Sequence, residues 1–337
     1  MEYSPEDLIL RLANLEDHNG ILNITRDEQL YDGMDYLPHA LKNWLKEAEV
    51  EKSFRRNFVF LLAGEIVGFV SIYFQNEGKV VAKFAFRVCK GIRGKGYGKK
   101  ITSLLEEYLK QHYPKLLSTL SVISDSNLRE DEIKSSKHGD LLAVKSYYVY
   151  RIKAELFEYS SHTFVEPNLT KFSKDQFSNF LKGNKAKRLF KGSLVHMNFI
   201  PILIESEDDI EFATRKRQIV LVEDSSSEML KSLSILTLPY PVANGNHRVS
   251  IDIFTDEKNQ ESIKNHISYQ LRNITNEIGD KSRANKGEYL LTIFTEPQFA
   301  SIVFDIMDGY GLQKYYTADG SQNRRVNNMY IYQKRIF

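Results

Sequence analysis

The sequence holds one cysteine, Cys89, which excludes an internal disulfide and argues against a cysteine-based metal site. No apolar run reaches the roughly 18 residues of a membrane helix. The Met1-Glu2-Tyr3 start lacks the basic and apolar regions of a secretory signal. Nor does one charge dominate: 46 Lys and Arg face 44 Asp and Glu, a net charge of +2. That balance gives no bulk attraction to nucleic acid or to an anionic membrane. A composition of 42% hydrophobic and 27% charged residues is globular rather than disordered. The Asn-x-Ser/Thr triplets at Asn23, Asn168 and Asn273 are therefore read as chance. The expectation is a soluble, cytoplasmic chain of 337 residues in two domains, with no membrane and no nucleic-acid partner.

What is present alternates between strand and helix signals. Leu8–Leu12 reads as a strand, Glu16–Glu28 as a helix, and Pro38 opens a helix through Lys46. Asn57–Ala63 and Ile66–Phe74 flank a Gly64-Glu65 turn, which is a hairpin signal, and Val80–Val88 adds a third strand. A glycine-rich segment, Gly91–Gly98, then leads into a helix over Lys99–Gln111. There Ile101, Leu104, Leu105, Tyr108 and Leu109 recur at helical spacing. Leu116–Ile123 reads as a strand, Asn127–Ser136 as a polar helix and Leu141–Val149 as a strand.

The domains predicted are 1–155, a basic connection with one helix over 156–191, and 192–337. In the last, Val195–Ile204 and Ile219–Val222 read as strands, and Ser234–Leu238 pairs with Val249–Phe254 as a hairpin. A helix over Asn259–Ile274, strand Tyr289–Phe294, helix Glu296–Asp308 and strands near Leu312–Tyr316 and Met329–Gln333 follow. The order repeats the first half, so an internal duplication is expected; an unrelated α/β domain is the alternative. The fold class is α/β (α+β), a mixed, mainly antiparallel sheet flanked by helices.

The chemistry is concentrated around Arg93-Gly94-Lys95-Gly96-Tyr97-Gly98-Lys99. A strand runs into close glycines and then a helix, whose first amides are unpaired and lie at the positive end of its dipole. Bare glycines let an anion approach, and Arg93, Lys95 and Lys99 add charge. Gly91 and Gly96 have the spacing of a P-loop, but Tyr97 replaces its lysine. Gly94 and Gly96 begin a dinucleotide fingerprint, but Lys99 replaces its third glycine and the strand before it belongs to an antiparallel meander. The pattern satisfied is Arg93-x-x-Gly96-x-Gly98.

This motif after a strand resembles the acyl-CoA pyrophosphate loop of the GNAT superfamily of N-acetyltransferases, over about residues 8–150. Tyr31-Asp32-Gly33-Met34-Asp35-Tyr36-Leu37-Pro38 and the helix through Trp44-Leu45 look like the matching segment of vertebrate histidine N-acetyltransferases. One departure is Lys90, where the family often has proline. The resemblance implies an enzyme that takes acetyl-CoA as co-substrate and moves its acetyl group directly onto a small-molecule amine, histidine being favoured. It implies cofactor contacts at Phe86, Arg87 and Val88, whose edge pairs with the pantetheine amides, and at Arg93, Gly94, Lys95, Gly96, Tyr97, Gly98 and Lys99. An N–H near Val88 would polarise the thioester carbonyl.

Within that resemblance, Tyr31, Asp35, Tyr36 and Arg87 are the substrate candidates: Asp35 for the amine, the tyrosines for an imidazole, Arg87 for a carboxylate. A packed helical connection is the alternative for them. No Asp or Glu occurs between Lys79 and Val88, so a strand carboxylate to act as base is missing. The tyrosine that the family places on the next helix, counted from Asn127, falls at Lys134. Ser135, Ser136 and Tyr147 remain as substitutes and no catalytic residue is assigned; transfer would then rest on positioning. His18, His39, His112 and His138 lack metal-ligand spacing, so no metal is expected. Cys89 reads as an inert thiol and Lys182–Lys191 as a solvated linker.

In the second half the segment matching the loop is Thr255-Asp256-Glu257-Lys258-Asn259-Gln260. It has no glycine and two acids, so a degenerate GNAT-like domain and one CoA per chain are expected. A non-catalytic acyl-CoA binder and a protein N-acetyltransferase stay open as alternatives, as do the acceptor's identity and the oligomeric state.

Overall fold

The computed structural model describes residues 3–26, 28, 34–50, 54–125, 128, 130–133, 135–152, 169–190, 193–215, 218–223, 230–255, 260–282, 289–315 and 327–336. The chain divides into two compact units. The first is Met1–Val122 with Ser135–Asp140 and Tyr332–Phe337; the second is Ile123–Lys134 with Leu141–Ile331. Among the described residues no helix is long and apolar enough to cross a membrane.

The first unit runs β1 (Ile9–Leu12), α1 (His18–Asn23), α2 (Leu37–Ala48), β2 (Arg55–Leu62), β3 (Glu65–Gln75), β4 (Val80–Val88), α3 (Tyr97–His112) and β5 (Ser118–Ser124). The strands lie in the order β1-β2-β3-β4-β5. All neighbours are antiparallel except β4 and β5, which are parallel across the α3 crossover. Side chains alternate between the two faces of a strand, and here both faces are covered. Phe58 and Phe60 pack with Ile101, Leu105 and Leu109 of α3. Val59, Phe69 and Ala85 pack with Ile21 of α1 and Leu37, Leu41 and Leu45 of α2. Double coverage explains why Phe58–Leu62 of β2 reads as an unbroken apolar run.

The end of the chain belongs to this unit. Ile336 joins the α3 core and its N–H donates to Leu117 O at 3.0 Å. Gln333 Nε2 donates to Ser118 Oγ at 2.8 Å, and Lys334 Nζ meets both oxygens of Glu106 at 2.9 and 3.0 Å.

The second unit holds α4 (Glu130–Ile133), most of β6 (Asp140–Ile152), β7 (Leu169–Phe172), α5 (Lys174–Lys182), α6 (Asn184–Leu189), β8 (Leu194–Met197) and β9 (Ile200–Leu203). After these come α7 (Glu207–Arg215), β10 (Gln218–Glu223), β11 (Ser232–Pro241), β12 (His247–Thr255), α8 (Gln260–Ser282), β13 (Tyr289–Thr295), α9 (Ala300–Gly309) and the start of β14 (Asn327–Arg335). β10, β11 and β12 form an antiparallel meander, α8 crosses over, and β13 lies parallel to β12. This is the order of β2, β3, β4, α3 and β5. Ile263, Ile267, Leu271 and Ile274 of α8 pack on Ile219, Leu221, Leu236 and Ile251.

Several boundaries differ from the sequence reading. β6, placed by sequence in the first domain, pairs with β13 from Ser146↔Thr295 to Ile152↔Tyr289, so all but Asp140 belongs to the second unit. The described part of 156–191 is folded structure: β7 pairs with β10, and Ser173 and Gln176 form a capping box at the start of α5. Val195–Ile204 is a hairpin rather than one strand, turning at Asn198 and Phe199 with φ of 46° and 67°. Near Leu312 the described residues form one isolated bridge, Lys314 to Tyr150. The first helical stretch is a 3-10 turn at Leu15–Asp17 followed by the short α1. Of the polar helix over Asn127–Ser136, the described residues include α4, followed by a 3-10 turn, Ser136–His138.

Candidate active site: a forked strand and a glycine loop

β4 is irregular where the sequence placed the cofactor edge. Ser71 pairs with Phe84 and Phe69 with Arg87, so Ala85 and Phe86 stand together opposite Val70. This is a β-bulge, a device that bends a strand and re-aims its side chains. Ala85 takes a φ of 53°. Ala85 and Val88 turn into the core, Arg87 is 4% exposed, and Phe86 is 46% exposed. On its other edge β4 pairs with β5 only from Val80↔Ser118 to Lys83↔Ser121, although the strands continue to Val88 and Ser124. The two therefore part after Lys83, leaving a fork beside the bulge.

β4 ends in the glycine loop. Gly94 and Gly96 have φ of 76° and 86°, and Gly96 is the N-cap of α3. The first intrahelical bonds are made by Lys99 N and Lys100 N to Gly96 O at 3.1 and 3.2 Å. The amides before them are the orphan donors of a helix start. Gly98 needs no left-handed backbone, and a Cβ built there would meet nothing within 4 Å. Packing does not require this glycine, and its bareness leaves the helix tip open. These features fit the diphosphate of an acyl-CoA, with backbone amides as the holding groups.

The side chains of the motif divide into two sets. Lys95 and Lys99 are exposed, and Lys95 Nζ donates to Gly91 O at 3.0 Å. Arg93 is committed to the protein: Nε donates to Val88 O at 2.8 Å and the two terminal nitrogens meet Glu28. The Tyr97 ring is buried in the α3 core, with its hydroxyl donating to Tyr3 O at 2.8 Å. Arg93 and Tyr97 thus brace the loop through their side chains.

The structure brings Asp35, Tyr36 and Arg87 together; Tyr31 lies outside the described residues. Arg87 Nη2 donates to Asp35 Oδ1 at 2.9 Å, and the same oxygen accepts from Leu37 N at 3.1 Å, holding the start of α2. Tyr36 lies 5.7 Å from Trp44, and Trp44 meets Phe84 edge-on at 5.5 Å. An aromatic wall therefore stands next to the bulge. Arg55 stacks on it, 4.3 Å from the Trp44 ring, with Nε donating to Glu47 at 3.0 Å and Nη1 to Ser71 Oγ at 3.1 Å.

Of the substitutes for a catalytic acid, Ser135 is half-buried in the first unit. The side chain of Ser136, and Asn127 and Lys134 altogether, lie outside the described residues. Tyr147 sits on β6 in the second unit, packed 5.3 Å from Phe199 and 6.0 Å from Phe294. Cys89 is half-buried with a free thiol. Among the described residues no group of three His, Cys, Asp or Glu has metal-binding geometry.

Two residues passed over in the sequence matter here. Glu28 holds Arg93, and nothing local in the sequence signals a partner 65 residues away. Lys83, the last β4 residue paired with β5, is half-buried. Burial pushes its amine below the usual lysine range; Glu106 works against that shift and Lys334 adds to it. A lysine two positions after the buried Val81 was the available signal.

In the second unit β12 stays paired with β13 from His247↔Tyr289 through Asp252↔Phe294. Its irregularity against β11 lies between Thr237 and Tyr240, opposite the start of β12 rather than its end. Residues 256–259 of the segment matching the loop lie outside the described residues.

Residues 19–131 match the family model described as Acetyltransferase (GNAT) family. Residues 165–284 match the one described as Histidine N-acetyltransferase, C-terminal. A histidine N-acetyltransferase of Oreochromis niloticus is 22% identical over 310 residues, covering 87% of this chain and 86% of that protein. One of Scomber australasicus is 23% identical over 266 residues, covering 74% and 75%. Among solved structures, a tandem GNAT protein from the clavulanic acid biosynthesis pathway matches with a TM-score of 0.56 and 10% identity, over 98% of this chain and 99% of its own. That is a likeness of fold, and the mixed sheet with a second GNAT-like half read from the sequence agrees with it.

Proposed function

We propose that this chain, which belongs to the GNAT superfamily of acetyltransferases and carries the C-terminal domain of histidine N-acetyltransferases, moves the acetyl group of acetyl-CoA onto the amine of a free amino acid, with histidine the favoured acceptor. The observation that carries this reading is the conjunction of the β4–β5 fork with the bare helix tip at Gly96–Gly98. The amides from Gly94 to Gly98 hold the diphosphate. The Phe86–Val88 edge aligns the pantetheine arm, and a backbone N–H near Val88 polarises the thioester carbonyl as charge grows on its oxygen. The amine then attacks with no covalent enzyme intermediate.

Asp35 and Arg87 present opposite charges at the bulge, one for an ammonium and one for a carboxylate, which suits an α-amino acid. Tyr36 offers an aromatic face to an imidazole. The second unit carries no cofactor, so one CoA binds per chain.

Incubating the full chain with acetyl-CoA and each amino acid in turn, with thiol detection of CoA, tests the reading. Release with histidine above all others is expected. Tight acetyl-CoA binding without release for any amine would replace it with a non-catalytic acyl-CoA binder, and release with peptides alone would point to a protein N-terminus as acceptor.

A further inference from the structure

We propose that the second unit holds a buried anion of chloride size between Arg248, Ser250 and the turn of the β8–β9 hairpin. Three hydroxyl side chains lie in register across this unit's sheet. Thr237 of β11 is paired with Ser250 of β12, and Ser250 with Thr292 of β13. Their chain neighbours Leu236, Leu238, Val249, Ile251, Leu291 and Ile293 pack in the α8 core. By strand alternation the hydroxyls face the other side. All three residues are buried.

Arg248 lies on that face too, two residues before Ser250. It is 3% exposed, and its Nε donates to Thr292 Oγ1 at 3.0 Å. The guanidinium therefore lies over the Ser250–Thr292 pair, where neighbouring strands are about 4.8 Å apart. Above it the Phe199 ring centre stands 4.3 Å from Cζ. Phe199 reaches this place from a left-handed backbone, φ 67°, directly after Asn198 at 46°. A bulky residue seldom adopts that conformation, and such strain recurs at ligand clamps.

Charge and hydrogen bonding are both incomplete here. Arg248 Nη2 and Ser250 Oγ are buried without a hydrogen-bond partner, and among the described residues no carboxylate lies within 4 Å of the guanidinium. An interior guanidinium needs a counter-charge. The Phe199 face offsets part of the burial cost but carries no charge. Asp252 is four residues further along β12, about 13 Å away at the α-carbons. It accepts from Asn198 N at 3.1 Å and lies 3.4 Å from His196 Nδ1, and burial pushes its carboxyl above the usual range. A single anion that accepts from Arg248 Nη2 and the Ser250 hydroxyl closes both gaps. A cavity of about 10 Å³ beside Thr237 and Asn198 has room for one water-sized occupant, which restricts the anion to one atom or little more.

Two experiments on the full chain test the site. After dialysis into sodium gluconate, urea unfolding is followed while chloride replaces gluconate at constant ionic strength. Going from about 1 to about 100 mM chloride is expected to raise the folding equilibrium constant about tenfold, as for a folded-state site of about 10 mM affinity. Arg248→Met and Ser250→Ala each remove one ligand and should flatten that response. Ser250→Ala deletes one oxygen and keeps the test open should the methionine variant fail to fold. Crystals grown in bromide should show an anomalous peak in contact with Arg248 Nη2 and Ser250 Oγ. Unfolding indifferent to chloride, a response kept by the folded variants, or a water alone at that position in bromide overturns the proposal.

Discussion

Arg93 and Glu28 form a two-point ion pair, Nη1 to Oε2 at 2.5 Å and Nη2 to Oε1 at 2.7 Å, while Arg93 Nε holds the carbonyl at the end of β4. The arginine of the motif thus ties the glycine loop to the segment after α1. Glu28→Gln discriminates between tie and phosphate ligand. As a tie, its loss loosens the loop and raises the acetyl-CoA Kd by about threefold, the scale of a half-exposed ion pair, less so at high salt. A fall in Kd on releasing the arginine would mean that Arg93 binds phosphate itself. Isothermal titration reads the difference.

Gly98 separates binding from folding. Since a Cβ there meets nothing within 4 Å, Gly98→Ala should leave the thermal midpoint unchanged. Gly98→Asp places negative charge at the helix tip and is expected to weaken acetyl-CoA binding at least about tenfold, through both bulk and repulsion. Unchanged affinity for the aspartate variant would remove the diphosphate from this loop.

Asp35→Asn keeps an oxygen for Leu37 N but cancels the charge facing Arg87. The KM for the amine should rise about tenfold or more while the acetyl-CoA KM stays within about twofold. Asp35→Ala cancels the same charge and also removes the oxygen that accepts from Leu37 N and Arg87 Nη2, so it should cost about 3 kcal/mol of stability or more. Chemical denaturation alongside steady-state kinetics distinguishes the two variants.

His266 makes the second unit acid-sensitive. It is fully buried, its ring nitrogens lie 2.8 Å from Ser232 Oγ and 2.9 Å from Ser234 Oγ, and burial lowers its pKa to about 3. The folded state therefore favours the neutral ring, while the unfolded chain takes up a proton below about 6.5. The stability from this group is complete above pH 6.5 and declines by about 1.4 kcal/mol per pH unit as pH falls toward 3. His266→Gln should abolish its share of that slope. Urea midpoints between pH 7.5 and 4 provide the measurement, and an equal slope in the variant counts against the assignment.

Gly139 links the short Ser135–Asp140 stretch to the end of the chain. Its φ is 104°, and a Cβ would lie 2.3 Å from Gln333 O. Gly139→Ala combines a strained backbone with a clash against main chain, and should cost about 2 kcal/mol or more, read as a lower thermal midpoint. An unchanged midpoint would mean that this close approach does not hold in solution.

Local pattern determined much of this protein. Apolar alternation in β2 to β4, the i, i+4 stripe of α3 and the glycines before it specify meander, loop and helix, because each depends on neighbours within a few residues. The repeat of that order after residue 218 was legible for the same reason. Tertiary structure alone decided the partnerships. Arg87 with Asp35 spans 52 residues, Arg93 with Glu28 spans 65, and Lys334 with Glu106 spans 228. No periodicity encodes such pairs; they form only when strands and helices have stacked. The surroundings of Lys83 arise in the same way, since α3 and the chain's last strand bring Glu106 and Lys334 beside it.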